Sequence, residues 1–155
     1  KCARIMKDFL ALIRQGSLER SAGTVKPLVR GARILVVDDE PGIAEVLAEV
    51  FQLDGHVVAM VGNGEAALAE LRVAHYDLIL SDVRMPDLDG PALYREVERR
   101  HPDLLPRFIF LTGDIMSPET SQFLAQAAVP CLSKPFTLEM VREVVQRVLS
   151  EASRT

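Results

Sequence analysis

Three acidic positions carry the first chemical signal. Asp38-Asp39 directly follow the apolar run Ile34-Leu35-Val36-Val37, and Asp82 closes a second run, Leu78-Ile79-Leu80-Ser81. Carboxylates at the ends of two buried strands repel one another and lose hydration, so holding them together calls for a cation among them. Oxygen ligands of this kind suit Mg²⁺, with Mn²⁺ as a substitute. A carboxylate beside such an ion is also a nucleophile toward phosphorus, giving an aspartyl phosphate. Asp82 is the better nucleophile, alone at its strand end with a loop after it. The adjacent pair is better suited to holding metal. A plainer reading makes Asp38 or Asp39 the cap of the next helix, because Asp39-Glu40-Pro41 resembles a helix start. One of the two is expected to serve both ends, and a cap does not account for Asp82.

Two further strand ends offer polar groups. Thr112 follows Phe108-Ile109-Phe110-Leu111, where its hydroxyl could donate to a phosphoryl oxygen. Lys134 precedes Pro135-Phe136, and an ammonium aimed at the acids would pair with them and later with phosphate. The Lys134-Pro135 bond is a candidate for the cis form, which would fix where the ammonium points. Singly, Thr112 is an ordinary strand end and Lys134 an ordinary surface charge. Beside three acids, the functional reading is the stronger one.

The elements that must position these groups alternate regularly from Arg33 onward. Strand patterns cover 33–37, 56–61, 77–81, 107–111 and 130–132, and helix patterns cover about 42–53, 64–74, 90–100, 117–127 and 137–151. Ile43, Val46, Leu47, Val50 and Phe51 form one apolar helix face; Leu138, Val141, Val144, Val145, Val148 and Leu149 form another. Short apolar strands between amphipathic helices predict an α/β domain, with a doubly wound five-stranded parallel sheet covered on both faces. Ligands gather at the carboxyl ends of such strands, where all the notable polar residues fall. Ahead of this domain, Met6, Phe9, Leu10 and Ile13 make an amphipathic stripe over residues 1–15, and residues up to 30 read as a linker with Gly23 and Pro27. Residues 31–151 then form the main domain, and 152–155 a short tail.

The 155 residues suit one compact domain with an appendage. Their apolar runs are only a few residues long, so no membrane span is expected. No secretion signal is evident, and the two cysteines, Cys2 and Cys131, fit a reducing, cytoplasmic compartment. Residues 1–30 carry seven Lys/Arg against two Asp/Glu, and the remainder eleven against twenty. The basic arm lacks a dense Lys/Arg block and any aromatic except Phe9, so a solvated helix face is expected rather than a nucleic-acid site. Gly62-Asn63-Gly64 lacks the spacing of a nucleotide loop and reads as a turn before a helix. His56, His75 and His101 have no ligand spacing and read as surface or turn histidines.

The chain resembles the receiver domain of bacterial two-component response regulators over about residues 32–151. The matching residues are Val36-Val37-Asp38-Asp39-Glu40, Ser81-Asp82-Val83-Arg84-Met85-Pro86-Asp87-Leu88-Asp89-Gly90, Leu111-Thr112-Gly113 and Ser133-Lys134-Pro135-Phe136. The resemblance implies a flavodoxin-like strand order of 2-1-3-4-5. It implies that Asp82 accepts phosphate from a histidine kinase or phosphotransfer protein, and that Asp38, Asp39, Asp82 and the Arg84 carbonyl hold Mg²⁺. Thr112 and Lys134 would contact the phosphoryl group and move inward, switching the face made by the fourth helix, fifth strand and fifth helix toward a downstream effector.

One family position departs. An aromatic or histidine usually stands three residues before the lysine, and here that residue is Cys131. Ring rotation is therefore not expected to carry the output, and backbone movement is the alternative. Cys131 reads as a small buried filler ahead of a redox-sensitive thiol. Arg84 and Asp114, two residues past Asp82 and Thr112, stand at the pocket mouth as candidate partners that restrict attacking water. Gly113 either leaves room for a phosphodonor or is a simple turn glycine.

No carboxyl-terminal output domain is expected, which leaves a receiver from a hybrid kinase or a stand-alone regulator. Cys2 to Leu12 looks somewhat like the second helix of a kinase dimerisation hairpin, and residues 1–15 leave room for a homodimer. Beyond self-phosphorylation and autodephosphorylation, no enzyme activity is expected. A phosphatase of the haloacid dehalogenase type would need an acid/base Asp two residues after its nucleophile. Glu40 and Arg84 occupy those places instead. A phosphorylation-independent pseudo-receiver is disfavoured by the complete acid, Thr and Lys set.

Overall fold

The computed structural model describes residues 29–85, 87–113 and 118–152. The helix expected at 1–15, its dimer contact, most of the linker, Cys2, Pro86 and Asp114 lie outside the described residues. The elements run β1 (Arg33–Val37), α1 (Pro41–Leu53), β2 (Val57–Val61), α2 (Gly64–Val73), β3 (Leu78–Asp82) and α3 (Gly90–Arg100). A 3-10 turn follows (Pro102–Arg107), then β4 (Phe108–Thr112), α4 (Pro118–Ala127), β5 (Cys131–Ser133) and α5 (Leu138–Ala152).

All strands are parallel, in the order β2-β1-β3-β4-β5. The continuous apolar runs of β1, β3 and β4 arise because alternate residues face different dry layers, whereas Val57 and Met60 of the edge strand β2 are exposed. Ile34, Val36, Leu78, Leu80, Ile109 and Leu111 pack with α1 and α5 through Leu47, Phe51, Val141 and Val145. Leu35, Val37, Ile79, Phe108 and Phe110 pack on the other face with Ala67 and Leu71 of α2 and Leu93 and Val97 of α3. Tyr94 and Phe123 from α3 and α4 meet Phe110 edge-on or tilted at centroid distances of 5.4–6.0 Å, an aromatic group not read from the sequence.

Several strand ends lie one residue later than the apolar pattern suggests. Asp82 pairs with Leu111, and Thr112 with Ser133, because the backbone ladder continues after the side chains turn polar. The 3-10 turn at 102–107 shows no helical period in the sequence, because Pro102 and Pro106 interrupt it. His56 corrects the surface reading: it is 5% exposed, with Nδ1 accepting the Ala32 N–H at 3.2 Å. It immediately precedes the edge strand β2, and its backbone N–H donates to Phe51 O at 3.0 Å near the end of α1, a placement no local pattern encodes. His75 is exposed and faces Asp77 at 3.2 Å.

Candidate phosphoacceptor and metal site

Each polar group is delivered by the end of a strand hydrogen-bonded to its neighbours in the sheet. Val37 pairs with Ser81 across β1 and β3, which places Asp38 and Asp82 at one end of the sheet. The Asp38 N–H donates to Val61 O at 3.1 Å, and Val83 N–H to Leu111 O at 3.0 Å, so the residues leaving both strands stay in the ladder. The Lys134 N–H donates to Thr112 O at 2.7 Å, joining the ends of β4 and β5. The Lys134-Pro135 bond is cis.

Side chains close the arrangement. Lys134 Nζ lies 3.0 Å from Asp82 Oδ2, 3.4 Å from Asp38 Oδ2 and 3.3 Å from Glu40 Oε1. Asp38 is 3% exposed and Asp82 6%, whereas Asp39 and Glu40 are exposed. Burial pushes the Asp38 carboxyl above the ordinary carboxylate value, and the Asp82 charge adds to it. The Glu40 backbone N–H, at 2.9 Å, and the Lys134 charge work against that rise. Burial alone would depress the Lys134 ammonium. Its hydrogen bond and charge contact with Asp82, reinforced by Asp38 and Glu40, outweigh burial and hold its pKa above the ordinary lysine value.

Asp38, Asp39, Glu40 and Asp82 each offer an oxygen within 4.8 Å of the others. Four hard oxygen donors around a buried carboxylate pair, with one ammonium for compensation, fit a small divalent cation. Thr112 is buried at the end of β4, beside the strand that carries Asp82. The Arg84 N–H donates to Asp82 Oδ1 at 3.3 Å, and the Arg84 side chain is exposed. Among the described residues, a Cβ added at Gly113 would meet Lys134 Cβ at 4.0 Å, and Gly113 has no left-handed φ. Cys131 is half-buried against the layer containing Phe110 and Phe123, and burial raises its thiol pKa.

The capping expectation is corrected. The residue before α1 is Glu40, with Pro41 at the first helical position, and no side chain caps this helix. Asp38 Oδ1 instead accepts the Glu40 N–H, because its carboxylate is turned toward Lys134 and the strand ends. Glu40 was not read as a site residue. Its adjacency to the acidic pair was the one available signal.

Residues 34–146 match the family model described as response regulator receiver domain. The chain is 30% identical over 135 residues to the sensor kinase CckA of Brucella abortus, covering 86% of this chain and 14% of that protein. It is 34% identical over 117 residues to the DNA-binding transcriptional regulator NtrC of Salmonella typhimurium, covering 76% and 24%. It thus spans about a seventh to a quarter of these curated relatives. Among solved structures, the signal receiver domain of a signal transduction histidine kinase from Syntrophus aciditrophicus is similar with a TM-score of 0.73 at 33% identity, over 81% of this chain and 95% of that one. A CheY-like receiver domain protein from Methanospirillum hungatei gives 0.74 at 26% identity, over 80% and 98%.

Proposed function

The chain belongs to the response regulator receiver family, and on that premise we propose that it accepts a phosphoryl group on Asp82 during two-component signal transduction. The observation that carries this reading is the ion pair of 3.0 Å between Lys134 Nζ and Asp82 Oδ2 inside a cluster of acidic oxygens. The donor is a phosphohistidine on a histidine kinase or phosphotransfer protein. An Asp82 oxygen attacks phosphorus in line with the departing imidazole nitrogen. The O–P bond forms as the N–P bond breaks, and the electron pair returns to the ring.

Asp38, Asp39, Asp82 and the Arg84 carbonyl would hold Mg²⁺ or Mn²⁺, which when bound supplies positive charge to the phosphoryl oxygens. Lys134 offsets the charge gathering on the same oxygens, and the Thr112 hydroxyl donates a hydrogen bond to one of them. The aspartyl phosphate adds roughly −1.5 to −2 charge in a confined place. Lys134 and Thr112 then draw inward, and the face of α4, β5 and α5 shifts population toward a form that binds an effector. With Cys131 where a ring would stand, backbone movement of β5 carries that shift. The relatives include a sensor kinase and transcriptional regulators, so the same switch fits a hybrid kinase or a separate cytoplasmic regulator.

The test is incubation with Mg²⁺ and acetyl phosphate followed by intact mass. One added phosphoryl group in the parent and none in Asp82→Asn is the expected result. Equal uptake by both proteins, or none by the parent, would overturn the reading.

A further inference from the structure

Glu40 stands immediately before α1, where Ser, Thr, Asp or Asn are favoured because a short side-chain oxygen reaches the free N–H groups of the first turn. The Glu40 side chain makes no such bond. It extends toward the pocket, where Oε1 lies 3.3 Å from Lys134 Nζ, and it is 60% exposed while doing so. An ammonium has three N–H donors. Those of Lys134 face three acceptors, Asp82 Oδ2, Asp38 Oδ2 and Glu40 Oε1. A phosphoryl oxygen arriving at Asp82 finds no donor of Lys134 available until one carboxylate withdraws. Asp38 is buried and cannot be rehydrated in place, whereas Glu40 already touches solvent and returns to water at little cost.

We propose that Glu40 is a positioning residue for phosphoryl transfer: it occupies the third donor of Lys134 before transfer and releases it to the incoming phosphoryl group. This inference rests on the phosphoacceptor reading. Glu40 opposes the reaction in two ways, by occupying that donor and by adding a negative charge to a mouth that anionic donors must cross. It therefore sets a brake on phosphorylation by small anionic donors.

The experiment compares the parent, Glu40→Ala and Glu40→Gln at saturating Mg²⁺, with the second-order rate constant for acetyl phosphate as first readout. The ¹⁵N resonance of the Lys134 ammonium is the second, which a purely structural role of Glu40 would leave unmoved. Both variants should react about threefold to tenfold faster than the parent. Glu40→Ala should also shift the Lys134 resonance. Variant rates at or below the parent rate, or an unmoved resonance, would overturn the proposal. An inert parent removes the phosphoacceptor reading and this inference together; an active parent with unaccelerated variants removes this inference alone.

Discussion

Gly90 lies so close behind Asp82 that a methyl group on its Cα would stand 2.7 Å from the Asp82 carbonyl oxygen and 2.8 Å from Val83 Cα. The first residue of α3 thus braces the strand end that presents Asp82, and its N–H donates to Val83 O at 2.9 Å. These two atoms belong to backbone and cannot rotate away, and Phe110 Cε1 would stand at 3.0 Å. Gly90→Ala should cost about 1–3 kcal/mol of stability by overpacking. Gly42→Ala, in open space within α1, should be neutral or stabilise by up to roughly 1 kcal/mol. Urea unfolding of the two variants checks the contrast, and similar midpoints would refute it.

Arg142 of α5 grips Asp54 at the end of α1 through Nε to Oδ2 and Nη2 to Oδ1, both at 2.8 Å. A planar fork on a carboxylate is something lysine cannot reproduce. Arg142→Lys should therefore lose about 1–2 kcal/mol, with much of the loss absent when Asp54 is already alanine. A double-mutant cycle measures this coupling, and full additivity would exclude it.

His56 predicts the sign of a pH effect. Burial lowers its pKa below the ordinary 6.5, while the charges of Asp54 and Asp77 work the other way. The unfolded chain thus takes up a proton that the folded form resists. This contribution is complete above about pH 6.5 and declines as pH falls from there toward the folded value. Asp38, raised by burial, acts in the opposite sense and is common to parent and variant. Denaturation midpoints should fall between about pH 7.5 and 5.5 in the parent and fall less in His56→Gln. Parallel curves would show that His56 does not titrate with folding.

Cys131 is half-buried and its thiol pKa is raised, so little thiolate forms near neutral pH. Alkylation of Cys131 in the native protein should be about tenfold or more slower than in the denatured chain, read by peptide mass. Native labelling at the denatured rate would restore the redox reading.

Arg84 has its backbone tied to Asp82 Oδ1 and an exposed side chain. Arg84→Ala should change the decay of phosphorylated protein by about threefold or more while leaving phosphoryl uptake in place. Identical decay curves would set the side chain aside.

The architecture was legible because apolar strands and amphipathic helices have different periods, and a two-faced buried strand allows few alternatives. Asp38, Asp82, Thr112 and Lys134 could be ranked as candidates because each ends an apolar run, and a cluster of polar and charged groups there needs a reason. Geometry was not available from that pattern. Glu40 looked like a helix start, and only the crossover that brings β5 to the end of the sheet places Lys134 within reach of it, 94 residues away in the chain. His56 looked like a turn residue, and only the folded chain, which brings its ring to the Ala32 N–H, shows it buried. Periodicity is a local property written in neighbouring residues. Which carboxylate shares an ammonium, and which ring loses water, depends on distances between segments that meet only after the sheet has formed.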